Sequence, residues 1–338
     1  MRKSASLEQL LQGLLAGDRR AAAQLITLVE SDRRASPEVM KRIYPHTGRA
    51  AIIGLTGPGG AGKSTLTGHI IRRFRQQGKT VGAILVDPSS PFTGGAFLGD
   101  RVRLENFTLD DGVYVRSMAS RGHFGGLARA TNDAARIIEA MGMDVVLVET
   151  VGIGQDEIDI VQIAQTCLLV VTPAMGDDMQ AMKAGVLEIA DIIVLNKADM
   201  DGAEAALKNL RMLLELASSP EEAWTPRLVS TVAAAPKTYG IRGIDDLMAE
   251  IAAHRQFLQS GRNLERMKRQ RVEQEINLIF QERVQDYFFN AMNGVGRKEE
   301  VLHSILAGQR DPYSVVEEIL DSFIDAREQR RLKEAQPQ

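Results

Sequence analysis

Gly57-Pro58-Gly59-Gly60-Ala61-Gly62-Lys63-Ser64-Thr65 follows the apolar run Ala50 to Leu55 and precedes the amphipathic run Leu66 to Phe74. G-x-x-x-x-G-K-[ST] between a strand and a helix is the spacing of a phosphate-binding loop. Few features restrict a fold so tightly. The loop needs a strand to deliver it and a helix N-terminus to face an anion, and its glycines let backbone N–H groups converge on phosphate oxygens. Lys63 is placed to reach the terminal phosphates, and Ser64 to ligate Mg2+. A plain glycine-rich turn would explain neither the Lys-Ser pair nor the flanking elements.

The rest of the chain fits that demand. Val81 to Val86, Val145 to Val148, Leu168 to Val171 and Ile192 to Leu195 are short continuous apolar runs, and Arg227 to Val229 is a sixth, shorter one. Such runs, separated by helix-length segments, predict an α/β fold around a mostly parallel central sheet. Its ligands bind beyond the carboxyl ends of the strands. The expected organisation is an N-terminal helical extension (1–48), a phosphate-binding-loop domain (49–260) and a C-terminal helical arm (261–338). In the extension Leu7, Leu10, Leu11, Leu14 and Leu15 fall at helical spacing. In the arm Val272, Ile276, Ile279, Val284 and Phe288 line one helix face. Asp311-Pro312 opens another helix, whose stripe is Val315, Val316, Ile319, Leu320 and Phe323. Packing on the α/β domain and pairing of subunits explain these stripes equally well.

Asn196-Lys197-Ala198-Asp199 follows the run Ile192 to Leu195. A carboxylate at Asp199 can accept two N–H bonds from guanine that adenine cannot donate, and a site built on such bonds rejects the wrong base strongly. GTP and GDP are therefore the expected nucleotides. Ser230-Thr231-Val232, past the next apolar run, is a weaker candidate for a backbone contact to the base. Val86-Asp87 and Val148-Glu149-Thr150-Val151-Gly152 each end a run on an acid, which is placed to bind Mg2+ or its waters. The Gly152 N–H is placed to meet a γ-phosphate. Asp100, in the loop-like stretch from Thr93, is a third acid of this kind.

Composition removes several classes. The net charge of -3 offers no basic field for nucleic acid or membrane. No run of about 18 apolar residues or signal-peptide pattern occurs, so a cytoplasmic chain without a bilayer span is expected. The single cysteine, Cys167, stands among Leu and Val and reads as a small buried hydrophobe.

Glu149 in place of the usual Asp, followed by Gly152-Ile153-Gly154-Gln155, is less generic. Together with Asp87-Pro88-Ser89-Ser90 and Pro173-Ala174-Met175-Gly176-Asp177-Asp178-Met179-Gln180, it resembles the MeaB/ArgK family of GTPases, which includes methylmalonic aciduria type A protein. The resemblance spans nearly the whole chain. It implies a homodimeric GTPase chaperone that gates cofactor loading and reactivation of an adenosylcobalamin-dependent acyl-CoA mutase such as methylmalonyl-CoA mutase, with the mutase accelerating hydrolysis. It also implies metal-site and switch roles for Asp87, Asp100 and Glu149, and places Gln155 at the family's glutamine position, two residues further from the Gly than in Ras-like enzymes. Lys183, in a mobile segment from Gly176 to Gly185, matches a lysine that contributes to mutase-stimulated hydrolysis. Gly59 departs from the family's proline, and Met175, Met179, Met182 and Ala184 from its commoner residues.

Two other readings share the fold class. A nickel-insertion metallochaperone GTPase needs Cys and His near the nucleotide, whereas Cys167 is alone and the five histidines are scattered in sequence. A small-molecule kinase of the ArgK type needs an acceptor site beside the γ-phosphate, and no such motif is recognisable. The mutase itself is excluded, since no histidine sits two residues after an Asp as in D-x-H-x-x-G.

Overall fold

A computed structural model of the chain describes residues 5–32, 34–88, 107, 109–120, 126–150, 160, 163–175, 190–216, 224–234, 240–292 and 297–322. Its described residues form two compact units, Met1–Arg271 and Val272–Gln338.

The first unit is built on seven strands: β1 (Ala51–Thr56), β2 (Val81–Pro88), β3 (Val113–Ser120), β4 (Val145–Glu149), β5 (Thr166–Val171), β6 (Ile192–Leu195) and β7 (Arg227–Ser230). They lie in the order β3-β2-β4-β1-β5-β6-β7, and every pairing is parallel. The apolar runs expected as strands are all present, and β3 is an addition. Its Arg116 and Ser117 break the apolar pattern, so Glu149 closes the fourth strand rather than the third, and Asn196 follows the sixth rather than the fifth. Arg116 is tolerated at this edge because its guanidinium meets the Glu30 carboxylate at 2.8 Å.

Alternate residues of each strand feed opposite faces. On one face Leu168 and Val170 of β5 pack with Leu66, Ile70 and Phe74 of helix α4 (Lys63–Gln76) and Leu247 and Ile251 of a later helix (Ile244–Gln259). On the other, Cys167 joins Ile137 and Ile138 of α5 (Gly126–Ala140), while Leu169 and Val171 join Leu210 of α6 (Ala203–Leu216). The helix Ile244–Gln259 is α7. Gly82 exists because β2 and α5 approach closely, a Cβ there lying 2.2 Å from Ile138 Cγ2.

Helices α1 (Leu7–Leu15), α2 (Arg19–Ser31) and α3 (Ser36–Ile43) form a further layer over α5. Ser6 and Gln9 close a capping box at the start of α1. Leu14, Leu25, Ile26, Val29, Val39 and Ile43 are completely buried in the same core as α5. Burying an aliphatic side chain of this kind is worth about 1.5–3 kcal/mol, so this layer is part of the domain's stability.

Helix α8 (Asn263–Met292) begins in the first unit and runs into the second, which continues with α9 (Arg297–Leu306) and α10 (312–322). Within the second unit Val301, Val315 and Ile319 are buried against Tyr287, Phe288 and Ile305. Asp311 caps α10, its carboxylate accepting from the N–H groups of Tyr313 (2.9 Å) and Ser314 (3.1 Å). No helix among the described residues is long and apolar enough to cross a membrane.

Candidate nucleotide site

Because all seven strands are parallel, their carboxyl ends share one edge of the sheet, where ligands of open α/β sheets bind. Glu149 pairs with Leu55 of β1 and Leu85 of β2, so Gly57 and Asp87 each lie two residues past its level. Leu195 pairs with Val171 and Ser230, which brings Asn196 and Thr231 to the same edge.

Gly57 to Ser64 leave β1 and turn into α4. Two glycines are required by position. Gly57 has φ +132°, and a Cβ there would stand 2.1 Å from the Val170 carbonyl oxygen; Gly62 has φ +95°, and a Cβ would stand 2.3 Å from Asn196 Nδ2. Gly59, by contrast, has open space where a Cβ would stand. Lys63 is buried, and its ammonium donates to the carbonyls of Gly57 (2.6 Å) and Pro58 (2.9 Å). Those bonds hold the loop's entrance and carry the charge at the mouth of α4.

Glu149 is also buried. Ser64 donates to its Oε1 at 2.6 Å, and Thr67, one turn further along α4, donates to its Oε2 at 2.7 Å. Beside it the Thr150 N–H bonds the Leu55 carbonyl at 3.0 Å, and the Thr150 hydroxyl bonds Thr56 Oγ1 at 3.1 Å. The start of the Glu149-to-Gly152 motif is thus fastened to the strand that delivers the phosphate loop.

Asn196, only 2% exposed, joins three loops. Its Nδ2 donates to the Ala61 carbonyl at 2.8 Å, and its Oδ1 accepts from Thr231 Oγ1 at 3.0 Å and from the Ala233 N–H at 3.2 Å. Lys197 has φ +58°, the one positive value at a non-glycine among the described residues. A left-handed backbone at such a residue costs about 1–2 kcal/mol. The turn is held by the Ala198 N–H bonded to the Thr231 carbonyl (3.0 Å) and the Met200 N–H bonded to the Lys197 carbonyl (3.0 Å). Asp199 stands part-buried beyond it. Ser230-Thr231-Val232 is at the right edge, but the N–H groups of Thr231 and Val232 are donated to the carbonyls of Leu195 (2.8 Å) and Arg242 (3.0 Å). In this structure the segment acts as a brace for the base loop.

The arrangement sets a buried carboxylate, a buried ammonium, a glycine loop at a helix N-terminus and a braced Asn-Lys-Ala-Asp turn along one edge. A family model described as methylmalonyl Co-A mutase-associated GTPase MeaB matches residues 22–293. The chain belongs to the MeaB family. It is accordingly a P-loop GTP hydrolase. A protein of Pyrococcus abyssi is 46% identical over 320 residues, covering 94% of this chain and 97% of its own length. GTPase ArgK of Escherichia coli is 32% identical over 296 residues, covering 86% of this chain and 88% of its own. The crystal structure of LAO/AO transport system kinase superposes with a TM-score of 0.70 at 25% identity, covering 96% of this chain and 99% of that one.

Several residues that the MeaB resemblance singles out lie outside the described residues: Asp100, Gly152, Gln155 and Lys183. Asp87 is described only as the penultimate residue of β2. Sequence reasoning in turn passed over Thr67, Thr56, Ala233 and His69, whose Nε2 lies 2.8 Å from the Ala233 carbonyl oxygen. Thr67 alone carried a signal, since it follows Ser64 by three residues and so shares its helix face.

A second buried polar group in this MeaB-family chain lies at the amino-terminal end of β5, away from the phosphate loop. Asp191 accepts from the Cys167 N–H at 2.7 Å and stands 3.3 Å from His254 Nε2, while His254 Nδ1 is 3.0 Å from Thr166 Oγ1. The Trp224 ring packs 4.7 Å from the His254 ring, centroid to centroid. Arg271 of α8 donates to the carbonyls of Ile163 (3.2 Å) and Ala164. Burial raises Asp191 to about 6, against the Cys167 N–H and the Arg271 charge. Burial, then the Arg271 charge, lowers His254 to about 4. Burial also raises the Cys167 thiol, which keeps it protonated and unreactive as its place in the core requires.

Proposed function

We propose that this GTPase is a Mg2+-dependent, homodimeric, cytoplasmic chaperone that gates cofactor loading and reactivation of an adenosylcobalamin-dependent acyl-CoA mutase. The observation that carries the reading is the reach of the family match. Residues 22–293 include most of the N-terminal layer and the whole of α8 as well as the nucleotide domain. The family's description names a methylmalonyl-CoA mutase association.

The residues suit Mg2+. Ser64 Oγ and the Glu149 carboxylate are hard oxygen donors beside a phosphate loop, and Asp87 is next to last in the neighbouring strand. Ser64, Asp87, Glu149 and Asp100 would hold the ion or its waters. When bound, the ion supplies neutralisation of charge on the β- and γ-phosphates. The protein's own groups do the rest. Lys63 would exchange the carbonyls of Gly57 and Pro58 for the terminal phosphates, and N–H groups of the loop from Gly59 to Thr65 would cradle the phosphate oxygens. Asp199 reads the guanine edge, on a turn held in place by Asn196, Thr231 and Ala233. By the family resemblance, Gly152 and Gln155 would sense the γ-phosphate and its water, and Lys183 would supply a cation once the mutase docks. Apolar residues of α8, among them Ile276 (60% exposed) and Phe280 (65% exposed), suit pairing of two copies.

The test follows adenosylcobalamin transfer to apo-mutase by its absorption spectrum. Loading should proceed with GTP and stall with a non-hydrolysable analogue. Loading indifferent to the nucleotide would overturn the chaperone reading, and labelled γ-phosphate recovered on an amino acid would favour the kinase alternative.

A further inference from the structure

Thr67 is completely buried one helical turn after Ser64, and both hydroxyls are aimed at the same carboxylate. A threonine inside a helix usually turns its hydroxyl back to the carbonyl four residues earlier. A hydroxyl has one proton to give, and Thr67 gives it to Glu149 Oε2 at 2.7 Å, across 82 residues of sequence. Ser64 takes the other oxygen at 2.6 Å. The carboxylate is therefore held at both ends, in a plane fixed by two side chains of α4.

We infer that Thr67 is a positioning residue for the divalent cation: by fixing Glu149 Oε2 it keeps Oε1 on the Ser64 hydroxyl, so that the Ser64 lone pair faces the phosphates and the ion. The inference rests on the Mg2+ reading of Ser64 and Glu149 above. Without Thr67 the bond that fixes Oε2 is gone, so the carboxylate is held less firmly and the direction it sets for the Ser64 oxygen is less sharply defined. Partners that orient a metal ligand in this way typically change metal affinity about 10–100-fold when removed. Thr67→Val keeps the shape and deletes the hydroxyl, whereas Thr67→Ser keeps the hydroxyl and deletes the methyl.

The experiment measures release of a fluorescent GDP analogue from the full-length protein as a function of Mg2+ concentration, with a parallel measurement in EDTA. Thr67→Val should raise the Mg2+ concentration needed for half-maximal slowing of release about tenfold or more, leaving release in EDTA within about twofold of wild type. Thr67→Ser should restore the wild-type Mg2+ dependence. Should the valine variant fail to fold, Thr67→Ala makes the same comparison with the serine variant. A wild-type Mg2+ dependence in Thr67→Val, an equal loss with and without Mg2+, or a serine variant as impaired as the valine one would each overturn the assignment. If release from the wild-type protein itself ignores Mg2+, the underlying metal reading fails instead.

Discussion

Replacing Asn196 by Ala removes, at one stroke, the side chain that joins the phosphate loop, the base loop and the segment after β7. Three hydrogen bonds vanish, to Ala61, Thr231 and Ala233. Each is worth about 0.5–1.5 kcal/mol net, and a buried partner left without a replacement adds to the loss. Thr231 is completely buried, so its hydroxyl has no ready access to water. The expected total is about 2–4 kcal/mol, read as loss of unfolding free energy of the free protein plus loss of GDP binding energy. At about 1.4 kcal/mol per tenfold in affinity, the part that falls on binding is easily measured by calorimetry, and urea unfolding gives the remainder. Asn196 braces the Ala61 carbonyl as well as the base loop, so Asn196→Ala should also weaken tripolyphosphate, which carries no base. A summed loss below about 1 kcal/mol would refute the energetic reasoning. Unchanged tripolyphosphate affinity beside weakened GDP would show that Asn196 serves the base alone.

Asp199→Asn should weaken GTP and GDP binding strongly without lowering the unfolding midpoint or affecting tripolyphosphate, because Asp199 stands beyond the brace; unchanged GTP affinity by calorimetry would remove its base-reading role. A chain ending at Arg271 keeps the guanidinium bonds to Ile163 and Ala164 and should sediment as a monomer, whereas a dimer would put the subunit interface elsewhere. Asp191, raised to about 6, contributes stability that is present below its ordinary value near 3.8 and is lost as pH rises through about 6. His254, lowered to about 4 from 6.5, contributes stability that is present above 6.5 and is lost as pH falls through about 4. The two slopes oppose each other between these limits, so Asp191→Asn should leave unfolding free energy that climbs with pH from about 4 to 6.5. A flat profile in that variant would contradict the buried neutral state of His254.

The phosphate loop, the Asn-Lys-Ala-Asp turn and six strands were legible because each depends on local pattern: glycine spacing, a four-residue motif, or a short apolar run. β3 was not, since Arg116 looks like a surface residue until Glu30, 86 residues away, is brought beside it. The start of α8 at Asn263, ahead of the stripe that opens at Val272, is of the same kind, because its first turns are charged and carry no apolar stripe. Asn196 was read as part of a base-binding motif, but its hold on Ala61 is a contact across 135 residues that no spacing encodes. Ser230 to Val232 were named for a contact to the base, and the two N–H groups at Thr231 and Val232 turn out to be engaged within the protein. Thr67 offered only its three-residue spacing from Ser64, because a threonine in an amphipathic helix looks the same whether it faces a carboxylate or the core.

The proposal that GTP hydrolysis gates the loading of a partner mutase is tested most directly by one rate comparison. GTP turnover should be measured for the full-length protein alone and with an adenosylcobalamin-dependent acyl-CoA mutase, for the wild type and for Lys183→Ala. The account predicts slow turnover alone, a marked rise with the mutase, and a Lys183→Ala variant that loses more of the stimulated rate than of the basal one. Several turnovers per second without a partner (P-loop enzymes lacking an activating cation run at roughly 10⁻⁴–10⁻³ per second), or no response to any such mutase, would contradict it.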